Sequence, residues 1–283
     1  MTKEISVIVP IFNEQTVVKD TIERIKKIVP DSEIIAINDG SSDNTLKILN
    51  TIDKIIVINH PYNLGYGASL KDGIKTATGK LIVITDADGT YPIENIHKLL
   101  IHSTKYDMVV GARIGTKVYI PFFRRPAKWV IKVLASFLVG KKIPDINSGL
   151  RIFNKEKALE FMNLYPSGFS FTTTITLSFF TSDYTIKYIP INYFKRTGKS
   201  TIHPLKDFAG FITLIFRIII FFRPLRFFII PSLILIIIGI IYGIYQIMTL
   251  PTGLGQLPVI SILAGLQIIF LGILADLIVK SRK

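Results

Sequence analysis

Short apolar runs alternate with amphipathic stretches through the first half of the chain. The first run, Ile5–Ile11, is nearly continuous and rich in β-branched residues, which is typical of a strand buried on both faces of a sheet. The pattern predicts strands at 5–11, 33–38, 55–59, 81–85 and 108–110, and helices at 16–28, 45–51, 68–77 and 93–100. Strands and helices in this order predict an α/β domain built on a mainly parallel sheet.

Two long apolar runs occupy the C-terminal part of the chain. They predict membrane-spanning helices at about 227–248 and 258–279, because helices of this length reach roughly 30 Å, the thickness of the hydrocarbon core. Pro231 is then expected in the first turn of its span, where proline is tolerated. Residues 206–226, rich in Phe and Ile, predict an amphipathic helix at the membrane interface. The predicted organisation is a globular domain at 1–205, this interfacial helix, and a membrane segment at 227–283.

Basic residues flank the two predicted spans, whereas the loop between the spans carries no charge. The flanking residues are Arg217, Arg223 and Arg226 before the first span, and Lys280, Arg282 and Lys283 after the second. The positive-inside rule therefore predicts a multi-pass protein with both termini and the globular domain in the cytoplasm. Neither apolar run is N-terminal, so no signal peptide is expected.

The charge is strongly basic, with 34 Lys and Arg against 20 Asp and Glu and a formal net charge of +14. Residues 1–200 hold 27 basic and 18 acidic side chains, and residues 201–283 hold 7 and 2. The stretch from Met108 to Pro144 has eight basic residues and no acidic one. Within it, Phe122–Val139 mixes Arg and Lys with apolar residues, which indicates a second interfacial segment facing anionic lipid or a phosphorylated ligand. A solvated basic face is the alternative.

Acidic and amide side chains follow three of the predicted strands. They are Asn13 and Glu14 after the first strand, Asn38, Asp39 and Asp43 after the second, and Asp86 and Asp88 after the fourth. Ligands of parallel sheets bind at the carboxyl ends of the strands. Asp43 has a simpler explanation as a helix cap, and Asp39 as part of a glycine turn. Asp86 and Asp88 would repel each other without a cation between them, and their hard oxygens suit Mg²⁺ or Mn²⁺ bridging a diphosphate.

Taken together, the motifs resemble those of the family 2 glycosyltransferases with the GT-A fold. The closest subgroup is dolichol-phosphate mannose synthase and its polyprenyl-phosphate glycosyltransferase relatives, and the resemblance spans about residues 4–225. The matching segments are Val9–Glu14, Asn38–Asp43, Asn63–Gly67, Asp86–Asp88, Gly111–Arg113, Asn147–Arg151 and Arg196–Ser200. The resemblance implies that the globular domain is a Rossmann-like catalytic domain.

The resemblance also implies a donor site for a nucleotide-diphosphate sugar. Pro10, Asn13 and Glu14 would line the nucleotide pocket, and Asp39 would read the base. Asp86 and Asp88 would hold the metal on the donor diphosphate, with Asp86 also in the nucleotide site. Thr90 is a departure, because mannose synthases often have Gln there as a further metal ligand. The Asp88–Gly89 step also occurs in relatives that use glucose, so mannose is only the first expectation and UDP-sugars stay open.

The implied acceptor is a dolichyl or polyprenyl phosphate, which is already anionic at neutral pH and needs cations rather than a base. Arginine binds phosphate with planar, bidentate geometry. The resemblance assigns the acceptor phosphate to Arg113, Arg125 or Arg124, Ser148, Arg151, Arg196 and Ser200. The expected catalytic set is Asp88, Arg113, Arg151 and Arg196. One in-line displacement would invert the anomeric centre, and the four histidines, His60 among them, are expected to be surface or structural.

Other functions fit the sequence less well. A processive polysaccharide synthase usually carries a Gln-x-x-Arg-Trp motif, whereas the single tryptophan here is Trp129, in Ala127–Lys128–Trp129. Gly65–Tyr66–Gly67 lacks the third glycine of a dinucleotide site at the required spacing. No aromatic-basic motif supports binding of nucleic acid. With no cysteine, disulfides, thiolate nucleophiles and Cys-based zinc sites are excluded. A catalytically silent membrane scaffold that binds nucleotide sugar stays open.

Overall fold

The computed structural model describes residues 4–119, 129, 132–133, 135–137, 139–168, 170–195, 213, 216, 219–220, 224–249 and 253–281. The chain separates into two compact units, Met1–Phe137 with Lys141–Ile212, and Leu138–Gly140 with Thr213–Lys283. The predicted boundary at 205/206 and most of the two predicted interfacial segments lie outside the described residues. The same is true of Arg124, Arg125, Arg196 and Ser200.

A mixed sheet organises the first unit. Its strands, within the described residues, are β1 (Ile5–Ile11), β2 (Glu33–Asn38), β3 (Ile56–Asn59), β4 (Leu81–Ile84), β5 (Met108–Ala112), β6 (Arg151–Asn154) and β7 (Ile186–Pro190). They lie in the order β3-β2-β1-β4-β6-β5-β7. Strand β6 is antiparallel to β4 and β5, and the other neighbours are parallel. The predicted mainly parallel sheet is confirmed, although β6 and β7 were not predicted.

The helices of the first unit follow most of the predicted segments. Within the described part of the chain they include α1 (Val18–Ile28), α2 (Thr45–Leu49), α3 (Tyr66–Thr76), α4 (Ile96–Leu100), α5 (Lys155–Leu159) and α6 (Phe171–Thr181). Helix α3 begins two residues earlier than predicted, which places Tyr66 in its first turn. Helix α6 was not predicted, because all eleven of its residues are buried and it has no polar face to reveal a helical period.

The core is built from central strands whose two faces are both covered. Val7, Ile8 and Val9 of β1 are fully buried, as their β-branched run predicted. Pro10 pairs with Ile37 of β2, whereas the pairing of β1 with β4 ends at Ile8. The proline therefore lies where the ladder on the β4 side has already ended, so its missing N–H costs no bond there.

The direction of the strands decides which loops meet. Parallel strands β1, β2, β3 and β4 all end at one edge of the sheet, so the loops that follow them lie together. Strand β6 runs the other way, and Arg151 at its start pairs with Val110 near the end of β5. The residues just before β6 therefore reach the same edge. Most of the predicted site motifs thus lie at one edge of the sheet.

The second unit is a pair of long apolar helices, α7 (Pro224–Thr249) and α8 (Gln256–Ser281). Only 17% and 11% of their most apolar windows are buried, which is far less than in the core helix of a soluble protein. Small residues line their contact: a Cβ on Gly239 would lie 2.9 Å from the Pro258 carbonyl oxygen, and one on Gly265 would lie 2.8 Å from that of Ser232. Length, composition and exposure indicate membrane anchoring.

The expected position of Pro231 is wrong. Helix α7 begins at Pro224, before the apolar run, and Pro231 therefore lies inside the helix rather than in its first turn. Proline is common at the first position of a helix, which Pro224 takes here. The apolar pattern located the span but did not reveal the turn at 224–226 that extends its helix.

Candidate active site

The loop after β1 is bound to the loop after β2 through Asn13. Asn13 has a φ of 56°, a left-handed conformation that asparagine tolerates better than most residues. Its side-chain Oδ1 accepts a hydrogen bond from the Ser42 backbone N–H (2.8 Å), and its own N–H donates to Ser41 Oγ (2.9 Å). The backbone N–H of the buried Glu14 donates to Thr45 Oγ1 (2.9 Å). Asn13 and Glu14, two of the predicted nucleotide-binding residues, are thus bound to the segment that follows β2.

Asp43 was predicted to cap α2, but it lies one residue before Asn44, the N-cap of that helix. Its carboxylate accepts hydrogen bonds from the N–H groups of Thr45 (3.0 Å) at the start of α2 and of Gln15 (3.2 Å). Burial alone would raise the pKa of the Asp43 carboxyl, but these hydrogen bonds lower the pKa below its ordinary value. Asp43 therefore supports the two loops.

Asp39 holds the loop after β3. Its two carboxylate oxygens accept hydrogen bonds from the backbone N–H groups of Leu64 (2.8 Å) and Gly65 (2.9 Å), and the Asp39 side chain is buried. Nδ1 of the buried His60 lies 2.8 Å from Asp39 Oδ1, and its Nε2 lies 3.3 Å from Asp72 Oδ2. His60 is therefore structural, as expected, and Asp39 does more than shape a glycine turn.

Asp86 follows β4 and lies between a phenol and a glycine. Its Oδ1 accepts a hydrogen bond from the Tyr66 hydroxyl (3.0 Å). A Cβ on Gly149 would lie only 2.8 Å from Asp86 Oδ2, so a residue without a side chain is required there. The Gly149 N–H donates to the Tyr91 hydroxyl oxygen (2.7 Å). Burial, and then the Asp86 charge, raise the pKa of Tyr66 well above its ordinary value, so the phenol stays a donor.

Asp88 is held by the residue that replaces the expected glutamine. Asp88 Oδ1 accepts hydrogen bonds from the Thr90 N–H (3.1 Å) and the Thr90 hydroxyl (2.6 Å), across Gly89 with its φ of 72°. Thr90 is only 1% exposed. Thr90 therefore orients Asp88.

Two carboxylates on one loop fit a divalent cation whose remaining ligands come from a diphosphate and water, since hard cations prefer oxygen donors. Within the residues that the structure describes, no group of three or more acidic or histidine side chains could hold a metal by itself. The carboxylate oxygens of Asp86 and Asp88 thus suit a metal whose other ligands come from a phosphorylated molecule.

Arg113 is paired with an acidic residue that was not predicted. Its Nε and Nη2 donate to the two carboxylate oxygens of Asp145 (2.7 and 2.8 Å), and the two side chains are 8% and 11% exposed. Its guanidinium also lies over the Tyr193 ring, 5.1 Å from the ring centre. Burial lowers the pKa of Arg113, but the Asp145 charge outweighs it and the pKa is raised.

Arg151 and Ser148 face the interior of the domain. Arg151 is 0% exposed, and its guanidinium donates to the carbonyl oxygens of Ser148 (3.0 Å) and Thr172 (3.1 Å). Burial lowers its pKa. The equally buried Ser148 hydroxyl donates to the Gly111 carbonyl oxygen (2.5 Å). These positions argue against the predicted direct contact of either residue with an acceptor phosphate. Both instead hold the loop before β6 against β5 and α6.

Asp145, Tyr66 and Tyr91 were not among the predicted site residues. One signal for Asp145 was available, because it is the first acidic residue after the basic stretch Met108–Pro144. Tyr66 lay inside a matching motif but was interpreted only through its neighbouring glycines. Nothing in the local sequence marks Tyr91.

Each of the two units matches a known protein family model. Residues 6–161, more than half of the chain, match the family model for glycosyl transferase family 2. The chain belongs to that family. Residues 223–280 match a second model, the GtrB C-terminal hairpin, which coincides with α7 and α8.

Curated relatives of this glycosyltransferase are named for the transfer of different sugars. The dolichyl-phosphate hexose transferase of Haloferax volcanii is 28% identical over 210 residues, which cover 73% of this chain and 89% of that protein. The UDP-N-acetylglucosamine–dolichyl-phosphate N-acetylglucosaminyltransferase of Methanococcus voltae is 31% identical over 177 residues, covering 54% and 70%. The chain spans only 66% and 51% of the length of two other relatives.

Solved structures share the fold at low sequence identity. One is glucosyl-3-phosphoglycerate synthase from Mycobacterium tuberculosis in complex with Mn²⁺, UDP-glucose and phosphoglyceric acid. It superimposes with a TM-score of 0.60 at 16% identity, covering 77% of this chain and 80% of that one. The likeness shows that the first unit has the GT-A fold.

Proposed function

We propose that the protein transfers one sugar from a nucleotide-diphosphate sugar to the phosphate of dolichol or another polyprenol at a membrane. The observation that carries the proposal is the carboxylate pair Asp86 and Asp88, at the sheet edge of a family 2 domain whose chain continues into an apolar helical hairpin. The names of the relatives, which act on dolichyl phosphate, support the same acceptor class.

The donor binds at the loops after β1, β2 and β4 in this proposal. The nucleotide pocket is lined by Pro10, Asn13 and Glu14. Asp39 reads the base and also holds the loop after β3. Asp86 and Asp88 hold Mg²⁺ or Mn²⁺ on the donor diphosphate. When bound, the metal supplies Lewis-acid stabilisation of the leaving diphosphate. Thr90 keeps Asp88 in the orientation that this requires.

The acceptor reacts through its own charge. An oxygen of the lipid phosphate forms the new bond to the anomeric carbon, while the bond from that carbon to the donor diphosphate oxygen breaks and its electron pair leaves with the diphosphate. The centre is inverted, and no protein base is needed because the acceptor is already ionised. Arg125, Arg196 and Ser200 are the proposed contacts to the acceptor phosphate, and Arg113, which is held by Asp145, is a further one.

The membrane segment keeps the acceptor near the site. The basic residues that flank the apolar helices favour a multi-pass protein whose globular unit and both termini lie in the cytoplasm. A polyprenyl phosphate would then present its charged end at the same membrane face. The proposed domains are a catalytic domain at 1–205, an interfacial helix predicted at 206–226, and an anchor predicted at 227–283, whose first helix α7 already begins at Pro224.

A panel of donors tests the proposal. Purified full-length protein is incubated with dolichyl phosphate, Mn²⁺ and radiolabelled GDP-mannose, UDP-glucose or UDP-N-acetylglucosamine. We expect label in the organic extract from one of these donors, and its loss in EDTA. Lack of extractable label from every donor would overturn transfer. Nucleotide-sugar binding without any transfer would favour the scaffold alternative.

A further inference from the structure

Tyr66 occupies a tightly fixed place between two parts of the proposed donor site. It is the first residue of α3 and directly follows Leu64 and Gly65, whose N–H groups both donate to the Asp39 carboxylate. The start of α3 also contacts a second loop, because the Ala68 N–H donates to the Ser167 carbonyl oxygen (3.0 Å). The backbone that carries Tyr66 therefore depends on Asp39.

The side chain of Tyr66 reaches the other end of the proposed donor site. Its hydroxyl donates to Asp86 Oδ1 (3.0 Å), while Gly149 borders the same carboxylate, since a Cβ there would lie 2.8 Å from Oδ2. The Asp86 carboxylate is thus confined on one side by a phenol and on another by a backbone. A rotation of the carboxylate would lose the hydrogen bond or move its oxygens against Gly149.

We propose that Tyr66 is a positioning residue for Asp86, and that through Leu64–Tyr66 it couples the placement of this metal-binding carboxylate to Asp39. The inference rests on the proposed function, because it takes Asp39 as part of the nucleoside site and Asp86 as a ligand of the diphosphate-bound cation. Its consequence is that a change at Asp39 alters cation binding even when no nucleoside is present.

The first test removes only the hydroxyl, with Tyr66→Phe in the full-length protein. Binding of Mn²⁺ in the presence of UDP or GDP is measured by electron paramagnetic resonance, independently of sugar transfer. We expect the variant to bind Mn²⁺ about 10-fold more weakly, the size typical of a lost hydrogen bond to a charged group. The matched control is Tyr165→Phe, which removes another buried hydroxyl, one that donates to the Ala158 carbonyl oxygen (2.8 Å).

The second test examines the coupling itself with inorganic diphosphate, a probe that has no nucleoside for Asp39 to contact. We expect Asp39→Asn to weaken binding of Mn²⁺ with diphosphate when Tyr66 is present, and to have no further effect in the Tyr66→Phe background. Equal effects of Asp39→Asn in the two backgrounds would overturn the coupling.

The outcomes separate this inference from the proposed function. Wild-type Mn²⁺ affinity in Tyr66→Phe would overturn the positioning role, even if the wild-type protein transfers sugar. A loss that Tyr165→Phe reproduces, with the same fall in melting temperature, would show a merely structural hydroxyl and also overturn it. If the wild-type protein neither binds Mn²⁺ with UDP or GDP nor transfers any sugar, the proposed function fails and the inference fails with it.

Discussion

Two groups of polar residues lie at the same sheet edge, and they use their side chains in opposite ways. After β1, β2 and β4, the side chains of Asn13, Asp39 and Asp88 accept hydrogen bonds from loop N–H groups, Asn13 and Asp39 from a neighbouring loop and Asp88 from its own. Ser148 just before β6 and Arg151 at its start turn into the interior and donate to backbone carbonyl oxygens. The comparison teaches that a matching motif identifies a segment, whereas burial decides whether its side chain faces a ligand or supports the fold.

The largest effect is expected from a change at Asp88, in the group of side chains that follows β1, β2 and β4. Asp88→Ala should lower the rate of sugar transfer by about 1,000-fold or more, because it removes one of the two charges that we propose hold the cation on the leaving group. Its melting temperature should stay near that of the wild type. The control is Asp53→Ala, an exposed carboxylate after α2, which should keep full activity. Full transfer by Asp88→Ala would refute the metal role.

For the buried Arg151 we expect the larger effect on stability and the smaller one on sugar transfer, the reverse of Asp88. Arg151→Met should lower the free energy of unfolding by about 2–4 kcal/mol, because the carbonyl oxygens of Ser148 and Thr172 lose their donor inside the protein. Thermal melts of the detergent-solubilised protein measure this change. An unaltered melt together with lost transfer would instead support direct contact of Arg151 with the acceptor.

Gly149 joins the two groups, because its backbone borders Asp86 and it lies in the loop before β6. Gly149→Ala should displace the Asp86 carboxylate and reduce transfer by about 10- to 100-fold, with partial recovery at higher Mn²⁺. Titration of activity against Mn²⁺ checks this. Gly168→Ala is the matched control, since a Cβ at Gly168 would meet no atom within 4 Å. A similar loss in both variants would contradict the specific clash.

The smallest effect should appear away from the shared edge, at Asp107. Hydrogen bonds from Lys157 and Thr185 lower the pKa of this carboxyl, although burial opposes them. A carboxyl with a depressed folded-state pKa adds stability above its unfolded pKa and loses it as pH falls through the folded pKa. Asp107→Asn should therefore lower stability by about 1 kcal/mol at pH 7. Melts from pH 7 to pH 3 should converge with those of the wild type, and the Mn²⁺ requirement should not change.

The sheet core was predictable because its residues carry a strong local signal. The β-branched runs of β1 and β2 gave strands whose observed bounds, Ile5–Ile11 and Glu33–Asn38, match the predicted ones. Strand β6 gave no such signal, since its four residues begin with a buried arginine whose partners come from the preceding loop and from α6. Burial of Arg151 depends on long-range packing, which no local pattern reveals.

The candidate site was predictable to the level of which loops form it. The positions of Asp39, Asp86 and Asp88 after strands follow from the strand pattern, and parallel strands bring such loops together. The partners of Asp86 and Arg113 do not follow, because Tyr66 and Asp145 come from distant segments and are placed by tertiary packing. The pairing of Arg113 with Asp145 also changes the local charge that the basic stretch had suggested.

The antiparallel direction of β6 brings both ends of the segment between β5 and β6 to one edge of the sheet. Residue 112 at the end of β5 and residue 151 at the start of β6 lie at the same sheet edge, so the 38 residues between them begin and end at one edge of the sheet. A change in the length of that segment would therefore shift the register of no strand.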